Sequence, residues 1–268
     1  MNNKIEIIYQ DENIVVINKP AMLLVIPDQR TLEAKTLVGM LKKQLNQKIW
    51  VVHRIDRDTT GVLVFAKNAE AHRNLSMQFE GSQVKKKYLA LLSGVLEDEE
   101  GSIDKPILIS GRDVTIDDTG KKSLTDFKVL ERFKGYTFVQ AEPQTGRRHQ
   151  IRIHFWSLGH PLAIDAEYGV SDPLLLSSFK RKYKEKKDGQ KEKPLIDRLT
   201  LHAAELTLTL PNTPVIARSD SGAAIHVKDK KMDSSKTKFS LNDGKITFSA
   251  PLPKDFEITL KQLRKYGK

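Results

Sequence analysis

Residues 53–68 read HRIDRDTTGVLVFAKN, and the change of character inside that stretch decides the fold class. After Gly61 the run Val62-Leu63-Val64-Phe65-Ala66 is continuously apolar and short, which reads as a buried strand bounded by a polar loop. Residues 51–56 before it read as a strand or an extended loop. On the far side, Asn68 can cap a helix through Phe79, with Leu75 and Phe79 on its apolar side. Further upstream, Leu37, Met40, Leu41 and Leu45 recur at helical spacing, and Thr36 is placed to cap a helix running to about Gln47. Ile5-Glu6-Ile7 and Ile14-Val15-Val16-Ile17 read as two strands with a turn at residues 10–13.

Downstream, Tyr88-Leu89-Ala90-Leu91-Leu92 is another buried strand, ended at Gly94. Residues 103–142 alternate apolar and polar side chains, as a sheet does. A helix is expected over residues 148–158, with Thr145 as N-cap and Gly159 as stop. Residues 201–210 form a strand ended by Pro211, residues 219–245 a loop or weak hairpin, and residues 256–266 a terminal helix. No internal repeat is visible. Strands and helices alternate without a βαβ rhythm, so the class is α+β.

The 268 residues contain no cysteine, which excludes disulfides, thiolate catalysis and Cys-ligated metal centres. No stretch approaches the ~20 apolar residues of a membrane helix, and residues 10–13 interrupt any leader-like run at the start. The expectation is a soluble, cytoplasmic monomer without membrane contact. The 45 basic residues exceed the 34 acidic ones by 11, a surplus that suits a polyanionic partner. Residues 180–193 alone carry eight basic and three acidic side chains, among them Lys180, Arg181 and Lys182. They form a basic insertion loop, either simply solvated or in contact with nucleic acid.

Two attractive motifs fail. Asp118-Thr119-Gly120-Lys121-Lys122-Ser123 resembles a phosphate loop, but the preceding glycine is Gly111, too distant for the required spacing, so it reads as a turn. His149 and His154 lie five apart, about 140° around a helix, which does not make a zinc pair. No metal site or small-molecule cofactor is expected.

Two segments resist a purely structural reading. In His53 to Gly61, an extended backbone points Arg54 and Asp56 one way and His53 and Ile55 the other. A surface ion-pair cluster before a buried strand would account for it equally well. In Gln144 to His154, a helix over 148–158 puts Arg148, His149 and Arg152 on one face, either a solvated basic face or a cationic wall for phosphate or carboxylate.

Together these segments resemble the RluA-type family of RNA pseudouridine synthases. HRIDRDTTGVLVFAKN is similar to that family's catalytic motif, and NKPAMLLVIP (18–27) to its first motif. KKKYLALLSG (85–94) supplies the motif tyrosine, Tyr88, and TGRRHQIRIHFWSLGHPLAIDAEYG (145–169) resembles the arginine-bearing helix and following turn. Leu201-His202-Ala203 and APLPKDF (250–256) match as well, all in family order. Two positions depart from the pattern: Ile26 where histidine is common, and Arg148 where threonine or serine is usual.

The resemblance implies one pseudouridine synthase catalytic domain over residues 1–268, without a separate N-terminal RNA-binding domain. Its sheet would be mixed, mostly antiparallel and bipartite, with flanking helices and a central cleft. It implies an isomerase that detaches uracil from ribose at nitrogen 1 and rejoins it through carbon 5, on large-subunit ribosomal RNA or on transfer RNA. Asp56 would be the catalytic carboxylate, Arg152 its counterion, and Tyr88 the ring that stacks under the base and collects the carbon 5 proton directly or through water. The target base must be flipped out, and Arg54 is placed to fill the vacated stack. Arg147, Arg148 and His149, with Lys180, Arg181 and Lys182, would contact RNA. Two rival readings are a non-catalytic RNA-binding or RNA-folding protein using the same cleft, and a phosphate-transferring enzyme built on the Gly120-Lys121 turn.

Overall fold

An apolar run as short as residues 62–66 is stable only with neighbours on both edges and both faces, and it has all of them. In the computed structural model, which describes residues 4–28, 31–181, 183, 191–210, 239–242 and 244–267, the amino-terminal half comprises β1 (Glu6–Gln10), β2 (Ile14–Lys19), α1 (Leu37–Leu45), β3 (Trp50–Val51), β4 (Thr60–Ala66) and α2 (Ala69–Glu80). The other half comprises β5 (Lys85–Ser93), β6 (Glu100–Asp104), β7 (Ile107–Ser110), β8 (Asp113–Ile116), β9 (Leu124–Phe133), β10 (Tyr136–Pro143), α3 (Gln150–Trp156), β11 (Leu201–Thr209), β12 (Phe239–Asn242), β13 (Lys245–Ser249) and α4 (Lys254–Tyr266). All seven residues of β4 are buried.

The main sheet runs in the order β1-β2-β4-β11-β5-β10-β9-β6, with β3 beside β4 and the β12–β13 pair beside β11. The pairing between β4 and β11 is parallel and brief, His202 opposite Thr60 and Ala203 opposite Gly61; the strand pairs on either side of it are antiparallel. This seam joins two half-sheets. Gly61 has φ +111°, and a Cβ there would collide with the Ala203 carbonyl, so the seam requires glycine. His202 rivets it: Nδ1 lies 2.9 Å from the Thr60 hydroxyl and Nε2 3.2 Å from the Ala250 carbonyl oxygen.

Alternation along β2 and β4 sends Val15, Ile17, Leu63 and Phe65 to one face, where α1 places Leu37 and Leu41. Ile14, Val16, Val62 and Val64 go to the other, under Ala71 and Leu75 of α2. In the second half α3 packs Ile151 and Phe155 against Ala90, Leu92 and Val139, while α4 packs Phe256, Leu260 and Leu263 on the opposite face against Leu91 and Phe138. Each such side chain contributes about 1.5–3 kcal/mol. Thr36 and Asn68 cap α1 and α2, accepting from Gly39 N and Ala71 N.

Local expectations needed correction at the third helix. The third helix begins at Gln150, not at residue 148, and Thr145 does not cap it. His149 takes a left-handed backbone, φ 56°, which ends any helix on its amino-terminal side. The Gln150 side chain organises the turn instead: its Oε1 accepts from Arg147 N at 3.0 Å and from the Thr145 hydroxyl at 2.7 Å. Arg148, His149 and Arg152 therefore do not share a helical face. Within residues 219–245 the described part is a hairpin of β12 with β13, and residues 211–238 lie outside the described residues. Of the basic loop at 180–193, Lys182 and residues 184–190 also lie outside them. Residues 118–123 form a turn, with Gly120 N donating to the Asp117 carbonyl at 2.8 Å. Among the described residues no helix is long and apolar enough to cross a membrane.

Candidate active site

The loop between β3 and β4 carries Asp56 and is fixed from three sides. His53 stacks on Phe79 of α2 with ring centroids 4.3 Å apart, and its Nε2 accepts from Val64 N at 3.2 Å. Burial drives the His53 imidazole down to about 3, so it is neutral, as that acceptor role requires. Lys19, wholly buried at the end of β2, donates from Nζ to the carbonyls of Pro20 at 3.0 Å, Arg57 at 2.7 Å and Thr59 at 2.9 Å. Ile55 packs with the α1 core. Asp56 is left facing the groove between the two half-sheets.

Arg152 reaches Asp56 from α3. Its Nη1 lies 3.3 Å from Asp56 Oδ2. Nε and Nη2 grip Asp165 at 2.7 and 2.6 Å, and Nη2 also meets Glu167 at 2.6 Å. Burial alone would depress this guanidinium, but the Asp165 hydrogen bonds and the three carboxylates outweigh it and hold Arg152 above its ordinary value. His149 completes the cluster, with Nε2 3.8 Å from Asp56, Nδ1 3.2 Å from Glu167 and 2.9 Å from the Tyr168 hydroxyl. Burial lowers the His149 imidazole despite the opposing pull of Asp56.

Two cavities meet at this cluster. One, of about 440 Å³, is lined by Arg54, Asp56, Lys86, Tyr88, Arg147 and Arg152, among others. The second, of about 700 Å³, shares Arg54, Asp56, His149 and Arg152 but is otherwise walled by Ile26, Arg57, Arg148 and Arg198 with their neighbours. Tyr88 projects from β5 into the first. Burial, and then the Asp56 carboxylate, push its hydroxyl above the usual tyrosine value, so it stays protonated.

Asp56, Tyr88, Arg152, Arg54, Arg147, Arg148 and His149 thus converge on one groove, although the two adjacent arginines part: Arg147 faces the first cavity and Arg148 the second. Arg148 Nη1 donates to the Gly111 carbonyl at 2.9 Å, linking the turn to the tip of the β7–β8 hairpin. Lys180 and Arg181 line neither cavity; Lys180 sits over the Tyr266 ring at 4.8 Å and Arg181 is exposed. Reasoning from sequence missed Asp165, Glu167 and Lys86. Asp165 and Glu167 carried a signal, two carboxylates interrupting the apolar turn PLAIDAEYG, and Lys86 carried another, its i, i+2 relation to Tyr88 along a strand.

The family model described as RNA pseudouridylate synthase matches residues 13–157. Over 218 residues the chain is 37% identical to the ribosomal large subunit pseudouridine synthase D of Nitrosomonas europaea, covering 78% of this chain and 59% of that protein. It is 38% identical over 221 residues to the ribosomal large subunit pseudouridine synthase C of Escherichia coli, covering 80% and 65%. The chain thus spans less than two thirds of the length of either relative. Among solved structures it resembles human RNA pseudouridylate synthase domain containing 1, with a TM-score of 0.61 and 26% identity over 78% of this chain and 80% of that one. Human RNA pseudouridylate synthase domain containing 4 shares the fold, with a TM-score of 0.64 and 24% identity over 97% and 93% of the two chains.

Proposed function

From the premise that this chain belongs to the RNA pseudouridylate synthase family, we propose that it isomerises uridine to pseudouridine in structured RNA, with large-subunit ribosomal RNA as the favoured substrate and transfer RNA as the alternative. The observation that carries the reading is Asp56, pinned by its loop and paired with Arg152 at 3.3 Å, at the wall of a cavity that also holds Tyr88.

The reaction breaks the bond from ribose C1′ to N1, turns the uracil, forms the bond from C1′ to C5 and removes the proton from C5. Asp56 acts by attack at the sugar carbon, by addition to the ring or by assisting proton removal, and Arg152, 3.3 Å away, aims the carboxylate. Tyr88 stacks under the base. Because its phenol stays protonated, it relays the C5 proton, accepting on oxygen while its own passes through water to N1, which needs a proton once its bond to C1′ has broken, and it does not act as a standing phenolate. Arg54, exposed and beside Asp56, fills the stack that the flipped base leaves. Arg147, Arg148 and His149 hold the RNA backbone around the groove, and the basic residues of 180–193 add further grip. The enzyme is a cytoplasmic monomer whose chemistry needs side chains alone.

The test is tritium release from RNA labelled at carbon 5 of uridine, on transcripts of ribosomal and transfer RNA, for wild type and Asp56→Ala side by side with binding measured on the same samples. Release by wild type alone, with binding retained in the variant, supports the assignment. Binding without release by either protein overturns it in favour of an RNA-binding role.

A further inference from the structure

Lys86 is a half-buried cation that the mechanism above does not use. The buried cations near the groove are compensated: Arg152 by three carboxylates, Arg198 by Asp255 at 2.7 Å on two nitrogens, Lys19 by three carbonyls. Lys86 makes one hydrogen bond, from Nζ to the Thr145 carbonyl at 3.0 Å, and among the described residues has no carboxylate within ion-pair distance. Its neighbour in charge is another cation, Arg147, whose Nε is buried and has no acceptor among the described residues. Gly146 adjoins Lys86, an added Cβ there coming 3.7 Å from Lys86 Nζ, in ordinary contact.

Two cations that repel each other with no carboxylate partner among the described residues are unfavourable for folding. Such a conflict at a cavity wall is explained when a ligand supplies the missing charge. Burial, with Arg147 adding to it, pushes the Lys86 amine down to about 8. The other titratable groups around it are His53 on the loop before β4, Tyr88 two residues on along the strand, and Asp56, Glu80, Arg54, His149 and Arg152 along the cavity.

Resting on the RNA reading above, we propose that Lys86 and Arg147 form a phosphate cradle at the wall of the first cavity, receiving the backbone phosphate of the nucleotide whose base enters it. The geometry suits this division of labour. Lys86 and Tyr88 stand on the same face of β5, so one strand presents a ring for the base and an ammonium for its phosphate. A carboxylate partner in the protein would compete for the phosphate, and none is there among the described residues.

The test is RNA affinity as a function of salt, using a large-subunit ribosomal RNA transcript with wild type, Lys86→Met, Lys86→Arg, Arg147→Met and the double variant Lys86→Met with Arg147→Met. Each lost phosphate contact lowers the slope of log affinity against log salt by about 0.7–1. Lys86→Met and Arg147→Met are expected each to show that drop, the double variant about twice it, and Lys86→Arg to keep the wild-type slope. Melting of Lys86→Met should be unchanged or higher, because a half-buried charge without a carboxylate partner is gone. An unchanged slope with a lower melting temperature would reduce Lys86 to a brace for the Thr145 turn and overturn the cradle. A fall in kcat at saturating RNA with the slope intact would also overturn it, moving Lys86 to the base. The salt slope is read from binding alone, so a wild type that binds RNA but releases no tritium defeats the synthase reading without touching this one.

Discussion

Asp165 takes two nitrogens of Arg152 at 2.7 and 2.6 Å, and it is this grip that leaves Nη1 directed at Asp56. Asp165 is fully buried as a side chain, and it also accepts from Glu167 N at 3.0 Å and Tyr168 N at 3.2 Å, so the turn after α3 holds the carboxylate that holds the arginine. Asp165→Asn removes the charge but keeps the shape. It should cost about 3 kcal/mol of stability, the usual penalty for breaking one side of a buried pair. It should also lower the isomerisation rate roughly 10²-fold through a misdirected Arg152, with RNA affinity kept. Denaturant unfolding and tritium release measured on the same protein check both parts.

Tyr88→Phe separates the stack from the relay. The ring remains, so RNA binding should stay near wild type. The hydroxyl goes, so the rate should fall by about 10²-fold or more, the usual worth of a positioned proton carrier. Equal rates for the two proteins would leave Tyr88 a stacking platform only.

Lys19→Met tests the anchor of the catalytic loop. Three carbonyls, two of them on the Arg57–Thr59 turn, lose their donor, and each unsatisfied buried acceptor costs about 1–3 kcal/mol. Part of that is offset by removing a buried charge, since burial already pushes Lys19 down to about 7. A net loss of at least about 2 kcal/mol is expected, with faster amide exchange at Thr59 and Leu23, whose N–H groups bond within this loop.

Gly61→Ala tests the seam. The position combines a left-handed φ with backbone contact across to Ala203. Nothing flexible is there to move aside, so the variant should lose about 3 kcal/mol or more. Thermal unfolding should show this, and a melting temperature within a degree of wild type would refute the seam's role.

The Lys86 amine gives a pH signature in stability. Its folded value, about 8, lies below the ordinary 10.5, so between those values the unfolded chain holds a proton that the folded chain has released. Stability from this group therefore rises with pH from about 8 to about 10.5, and its burial penalty is fully present below 8. The stability advantage of Lys86→Met over wild type should be largest below pH 8 and shrink as pH rises through that window, which denaturant titrations at pH 7, 8 and 10 would measure.

How much of this was legible beforehand follows from the range of each interaction. Thr36 and Asn68 declared their helices because a cap bonds to an N–H three residues on. The apolar run after Gly61 and the Tyr88 strand were plain from composition alone. The start of α3 was misplaced because Gln150, not Thr145, satisfies the turn, a choice between two polar side chains a few residues apart that local pattern does not settle. That Arg148 also reaches the Gly111 carbonyl, 37 residues earlier in the chain, is likewise invisible to local pattern.

By itself the sequence determined the α+β class, the helix ends governed by side-chain caps, the loop bearing Asp56 and, through ordered motifs, the family. Those features depend on neighbours within a few residues or on residue identity. Only the tertiary structure decided that β4 meets β11 at Gly61, that Arg152 is shared among Asp165, Glu167 and Asp56, and that Lys86 stands near Arg147 without a carboxylate partner among the described residues. Each joins segments dozens of residues apart, and their charges acquire meaning only once packing has excluded the water that would screen them.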